Sequence, residues 1–186
     1  MPKTELPLNA SLYPVPVTLV TCIDKKSKKL NVIAIAWCGV ICSDPPMISI
    51  SIRPSRYSHR LISETGDFAV NIPSKKIVRE TDLCGTVSGN KSDKFKECPL
   101  TAIPSKNILS PLIRECPVNI ECKLEQIIKL GSHDMFIGRV VGVHADKEVL
   151  GPDGKIDYAR ALPFVYNQGE YWGIGEKIGY HGFSRG

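Results

Sequence analysis

The stretch from Asn31 to Ser58, NVIAIAWCGVICSDPPMISISIRPSRYS, gathers the groups best suited to hold a ligand. Ser51, Arg53, Arg56, Tyr57 and Ser58 fall within eight residues, at the end of an apolar run. Two guanidinium groups and several hydroxyls at that spacing can make charge-assisted hydrogen bonds to an anion. Upstream, Ala36-Trp37-Cys38-Gly39 places small residues where a flat ring could approach the backbone closely. Ser51, Ile52 and Arg53 lead from that ring position to the charged cluster. A third segment, from Cys84 and Gly85 through Ser88 to Lys91, follows a helical pattern and adds hydroxyls and a lysine. Exposed amides at a helix start would also favour phosphate. A flat ring carrying a phosphate arm satisfies both halves, and FMN is such a molecule. By spacing alone, Arg53 and Arg56 read at least as well as solvated surface charges.

The elements that must position these groups are mostly strands. VTLVTCI at 17–23 and a longer apolar run at 30–42 flank the basic turn Asp24-Lys25-Lys26-Ser27-Lys28-Lys29, which predicts a hairpin. Asp44-Pro45-Pro46 ends the second strand, since proline cannot donate to a ladder. From Met47 to Arg53, Ile48, Ile50 and Ile52 alternate with Ser49, Ser51 and Arg53, the period of a strand with one buried face. Arg56 to Thr65 reads as a short helix closed by Gly66. FAVNI at 68–72 is a further strand, and Ser74 is the expected N-cap of a helix reaching Leu83 and stopping at Gly85. Ser92 is expected to cap one more turn. Residues 118–130 and 135–145 form a strand pair, and Gly151-Pro152-Asp153-Gly154 is a turn. Six or seven short-spaced strands with only short helices indicate a mainly β protein, a closed or nearly closed antiparallel barrel with peripheral α-helices.

Bulk properties restrict the remaining choices. The 186 residues, 42% of them hydrophobic and 23% charged, suit a single domain with a substantial core. No apolar stretch approaches the ~18 residues a membrane helix needs, and the start lacks a signal-peptide core, so a cytoplasmic protein away from membranes is expected. The net charge of +5 is mild, and its densest run lacks interleaved aromatics, which argues against nucleic acid. The seven cysteines have irregular spacing and no CxxC pair, so free packed thiols are expected rather than a metal site or a redox pair. Cys38 and Cys42, four apart on one strand, would share a face. Gly173 to Gly179 reads GxGxxxG, but too little chain follows to build a dinucleotide-binding unit. Phe164, Tyr166, Tyr171 and Trp172 would make an exposed apolar patch of the kind that joins two subunits.

The ordered set AWCGVICSDPP, SISIRPSRYS, GDFAVNIP, CGTVSGNKSDKF, ECPVNIECK and GSHDMFIGRV resembles the flavin reductase-like, FMN-binding split-barrel family, and within it the flavoredoxin branch. The likeness covers most of residues 12–183. It implies a Greek-key-like split β-barrel homodimer with one FMN per subunit near the interface, doing redox electron transfer without nucleophile or metal. On that pattern Ala36, Trp37, Cys38 and Gly39 contact the ring. Ser51, Ile52 and Arg53 hold the ribityl chain, and Arg56, Tyr57 and Ser58 bind the phosphate. Ser88 and Lys91 assist from the loop after Cys84 and Gly85, and His133 lies near the ring, where a hydride donor arrives. Electrons would come from or go to a protein partner, or from NAD(P)H in the alternative reading of a flavin or ferric reductase. Ala36-Trp37-Cys38 departs from the small hydroxyl residues usual in the reductases, which makes direct NAD(P)H reaction the weaker expectation.

Overall fold

In a computed structural model describing residues 1–185, the chain builds one curled sheet of seven strands. Its first half runs β1 (Val15–Pro16), β2 (Thr18–Ile23), β3 (Leu30–Ile35), β4 (Cys38–Ser43), β5 (Pro46–Ile52), α1 (Tyr57–Thr65) and β6 (Asp67–Ile72). Then come α2 (Val78–Thr86), α3 (Lys94–Glu97), β7 (Ala102–Ile103), β8 (Leu112–Ile113), β9 (Val118–Lys129) and β10 (Asp134–Ala145). The chain ends with α4 (Tyr158–Ala161), β11 (Phe164–Asn167) and β12 (Glu170–Gly173). The main sheet has the order β3-β2-β6-β9-β10-β5-β4, antiparallel throughout, and β1, β11 and β12 form a separate three-stranded sheet.

The alternation in the sequence decides which side chains enter the barrel. Val20 and Cys22 of β2, Ile33 and Ile35 of β3, and Ile48, Ile50 and Ile52 of β5 turn inward onto Phe68 and Phe136. Leu61 and Ile62 of α1 join the same core. Leu19 and Val32 point the other way, into a second cluster with Ile77, Cys84, Cys98 and Ile113. The strands β2 and β3 are therefore buried on both faces, which explains why apolar residues face both ways along them. Each such side chain contributes about 1.5–3 kcal/mol on full burial.

Several expectations need correction. The run at 30–42 is two strands rather than one: β3 ends at Ile35, Ala36 and Trp37 form a bend, and β4 pairs with β5 instead of β2. An irregularity between Val40 and Cys42 moves Cys42 opposite Met47, while Cys38 stays opposite Ile50, so the two thiols face opposite ways. Ser74 makes no side-chain cap; a 3-10 turn at Lys75–Ile77 precedes α2, which continues through Gly85 to Thr86. Asp93, not Ser92, precedes α3. The Gly66 cap is as read, with φ 79° and its N–H bonded to the Ile62 carbonyl.

The aromatic residues near the C-terminus are not one exposed patch. Phe164 is buried, while Tyr166 and Tyr171 are half-buried and pack on Tyr13, Phe164 and each other; only Trp172 is exposed. Pairing of β11 with β1 draws them onto their own barrel. Exposed apolar side chains do occur in both termini, Leu6, Leu8 and Leu12 at one end and Ile174, Ile178, Tyr180 and Phe183 at the other, and along the barrel surface at Val40, Ile41, Leu130 and Val143.

One close approach is diagnostic of the barrel's packing. A Cβ at Gly138 would lie 2.5 Å from the Phe68 ring and 2.9 Å from the Cys122 Cβ. Gly138→Ala is therefore expected to cost about 1–3 kcal/mol in urea unfolding. Gly173→Ala, with nothing within 4 Å, should stay within ~0.5 kcal/mol. Equal midpoints for the two variants would contradict this packing.

Candidate functional site

β3 and β4 are the two ends of the seven-stranded sheet, yet only Ala36 and Trp37 separate them in the chain. They do not pair with each other. The Trp37 carbonyl instead accepts from the Ser51 N–H at 2.9 Å, fastening the bend to the end of β5. The outer edge of β3 keeps its backbone donors and acceptors free of a strand partner.

A cleft of about 310 Å³ opens at this seam. Ala36, Trp37, Ser51, Ile52, Arg53, Arg56, Gly85 and His133 all line it. Eight of the residues picked out in the sequence thus meet in one place. Next to it a narrow recess is walled by Arg56, Tyr57, Ser58, Ser88 and Gly85. The first turn of α1 carries no acidic residue, so its N-terminal end stays favourable to an anion.

Four residues of the expected set are placed otherwise. The Cys38 side chain packs against the barrel core, and burial pushes its thiol up to about 11. Gly39 follows it along β4, outside the cleft lining. Cys84 is buried in the second cluster, its thiol pushed up to about 12 by burial. Lys91 is exposed and lines neither the cleft nor the recess.

Other lining residues carried little signal in the sequence. Ile33, Ala34 and Ile35 contribute the β3 edge, visible only once the strand is known to end at Ile35. Tyr166 reaches the cleft from β11, far away in sequence. Lys94, one turn after the loop, is a buried lysine in the wall of the recess.

His133 lies against Trp37, with ring centroids 4.3 Å apart and planes inclined by 44°. Its Nδ1 is 2.9 Å from the Ser132 hydroxyl, leaving Nε2 for other partners. Burial, then the charges of Arg53 and Arg56, push its pKa below the ordinary histidine value, so the ring is neutral near pH 7. The adjacent Asp134 is buried and pairs with His59 of α1 at 2.8 Å. That pair ties the histidine segment to the helix whose first turn walls the recess.

The residues suit a flavin nucleotide. A β-edge with unpaired backbone groups and small side chains can meet a planar heterocycle, and guanidinium groups at one end can meet a phosphate.

A family model described as "Flavin reductase like domain" matches residues 10–175. The chain belongs to the flavin reductase-like family. Within that family its fold matches flavoredoxin of Desulfovibrio vulgaris (Miyazaki F) with a TM-score of 0.92 and 34% identity, over 99% of this chain and 100% of that one. Flavoredoxin from Methanosarcina acetivorans gives 0.87 and 28%, over 98% and 97%. An uncharacterized protein of Archaeoglobus fulgidus is 33% identical over 78% of this chain and 80% of its own. These likenesses support the flavoredoxin branch and the split-barrel fold read from the sequence.

The charge pattern sets the sign of a pH effect. A histidine with a lowered folded-state pKa binds its proton less tightly folded than unfolded. It therefore costs no stability above its ordinary value and destabilises the protein as pH falls below it. Following the His133 ring by NMR, we expect a midpoint below 6.5 that moves upward in Arg53→Ala and Arg56→Ala. A midpoint unmoved by either change would show that the two guanidinium charges do not act on this ring.

Proposed function

We propose that this protein binds FMN in the seam cleft and passes electrons through it, as a flavoredoxin-type carrier between redox partners. The observation that carries the reading is the cleft itself: it joins an unpaired β-edge to a guanidinium-lined end. Bound FMN would supply one- and two-electron redox chemistry. The chain's own residues would do the rest. Arg56 and the start of α1 would neutralise the phosphate, and Ser51 and Arg53 would hold the ribityl chain. The edge of β3 would supply hydrogen bonds to the ring, and neutral His133 would offer Nε2 to it.

Trp37 decides between the carrier and an NAD(P)H-dependent flavin or ferric reductase. It is 44% exposed and leans on His133, so an incoming nicotinamide meets an indole where the approach would otherwise be open. We read this as a filter that favours electron exchange with a protein partner.

A second copy of the chain would complete the assembly. The apolar side chains of both termini, Leu6 to Leu12 and Ile174 to Phe183, have too few neighbours to form a core of their own. A homodimer would bury them.

Anaerobic mixing with NADH or NADPH tests the reading. The FMN-loaded wild type should bleach slowly, and Trp37→Ser at least about tenfold faster, roughly 1.4 kcal/mol of barrier. Wild-type bleaching as fast as the variant's would favour the reductase. Light scattering on the same preparation should give two chains per particle; one chain per particle would remove the homodimer from this account.

A further inference from the structure

We propose that the basic turn between β2 and β3, together with the start of α1 and the loop after α2, is a docking surface for an acidic electron-transfer protein. This rests on the FMN reading above and names the chemistry of the partner that such a carrier would meet.

Three segments far apart in the sequence meet on this face. The Lys29 Nζ donates to the Gly89 carbonyl at 2.9 Å, joining the turn to the loop. The Arg60 guanidinium donates to the Asp24 carboxylate at 3.2 Å, joining the turn to α1. Tyr57 collects both cations, with its ring centroid 5.9 Å from the Lys29 ammonium and 5.3 Å from the Arg60 guanidinium. The turn is tied down from within. The Asp24 carboxylate accepts from the Lys26 and Ser27 N–H groups at 2.9 and 3.0 Å, and the Asp24 N–H donates to the Lys29 carbonyl at 2.9 Å. Lys25, Lys26 and Lys28 are thus exposed on a fixed support.

Charge on this face is one-sided. Residues 24–29, 53–65 and 86–91 hold eight lysines and arginines against two carboxylates, Asp24 and Glu64. Both carboxylates are bonded to Arg60. The face therefore carries +6 in a chain whose net charge is +5, and the rest of the molecule is slightly negative. Such asymmetry steers a partner of opposite charge to one side before contact. A bound phosphate would offset about two of these charges. The turn lysines line neither the cleft nor the recess, so they stay available. Arg53 and Arg56 belong to this face and to the cleft alike, which puts a docked partner at the cleft mouth.

Cations also attract membranes and nucleic acids, but the accompanying groups do not suit either. None of the three segments exposes a large apolar side chain for a bilayer to take up. Tyr57 is half-buried with cations over its ring, which leaves no stacking platform for bases. Charge without apolar anchors suits the small, polar encounters of redox proteins.

Stopped-flow electron transfer to the FMN-loaded full chain tests this, with reduced plant-type ferredoxin, a small acidic protein, as the probe. We expect the second-order rate of flavin reduction to fall about tenfold or more between ~0.02 and ~0.3 M NaCl. Lys25→Glu/Lys26→Glu should lower the low-salt rate about tenfold and flatten its salt dependence, with FMN affinity changed by less than about twofold. Lys147→Glu/Lys155→Glu, the same charge change beyond the far end of β10, should lower the rate by less than about twofold. A rate that ignores salt, or that falls equally in the two double variants, would overturn the inference. So would an unchanged rate in Lys25→Glu/Lys26→Glu combined with lost binding to a single-stranded oligonucleotide or to phosphatidylserine vesicles, which would assign the face to those ligands. FMN uptake, read first from the visible absorbance, separates the two failures. No uptake overturns the flavin reading and this inference with it; uptake followed by a salt-independent rate overturns this inference alone.

Discussion

The two end strands of the main sheet are joined by only two residues, and the architecture follows from that constraint. Laid flat, β3 and β4 would be about 29 Å apart, six strand spacings of ~4.8 Å. The three Cα steps from Ile35 to Cys38 span at most ~11 Å. The sheet must therefore curl until its ends nearly meet. They meet without pairing, because Ala36 and Trp37 turn the chain across the gap and the Trp37 carbonyl is taken by the Ser51 N–H. The resulting seam brings the edge of β3, which has no strand partner, together with the polar end of β5. An edge strand of this kind is ordinarily a liability that a protein covers. In the proposed reading the bound flavin nucleotide would cover it.

Charge is distributed with equal economy. Arg60, next to the cluster, is occupied by Glu64 and Asp24 and stays out of the cleft. Arg53 and Arg56 face the cleft from exposed positions, where water screens them. Lys94 is withdrawn from water, its ammonium bonded to the Val32 and Cys84 carbonyls. The cysteines are electrostatically quiet. All seven are free, and burial raises the pKa of Cys22, Cys38, Cys84, Cys98, Cys116 and Cys122, leaving them as neutral packing groups rather than nucleophiles.

The strands were legible wherever side chains alternate. Ile48, Ile50 and Ile52 announce the inner face of β5, and the long pair at 118–129 and 134–145 is plain from its pattern. The break at Ala36–Trp37 was not legible, because the apolar run carries no glycine or proline there; only the register of β4 against β5 reveals it. Cys38 and Gly39, expected beside the ring, lie on β4 outside the cleft lining. Arg53, Arg56 and Ser58 were found because donors crowd a strand-to-helix junction. Lys94 was missed because a lysine in KSDKFKE looks like a solvated charge until the fold buries it. Tyr166 was assigned to an outer patch, since nothing local shows that β11 pairs with β1 and folds over the barrel's end.

The central claim is that a flavin nucleotide completes the unpaired edge of β3. Amide hydrogen exchange measures this directly, with and without FMN. The account predicts that amides within residues 33–37 slow by at least about tenfold when FMN is added, while the inner strands β6 and β9 change little. Protection confined to other segments, with residues 33–37 exchanging as fast in the FMN complex as without it, would contradict the account.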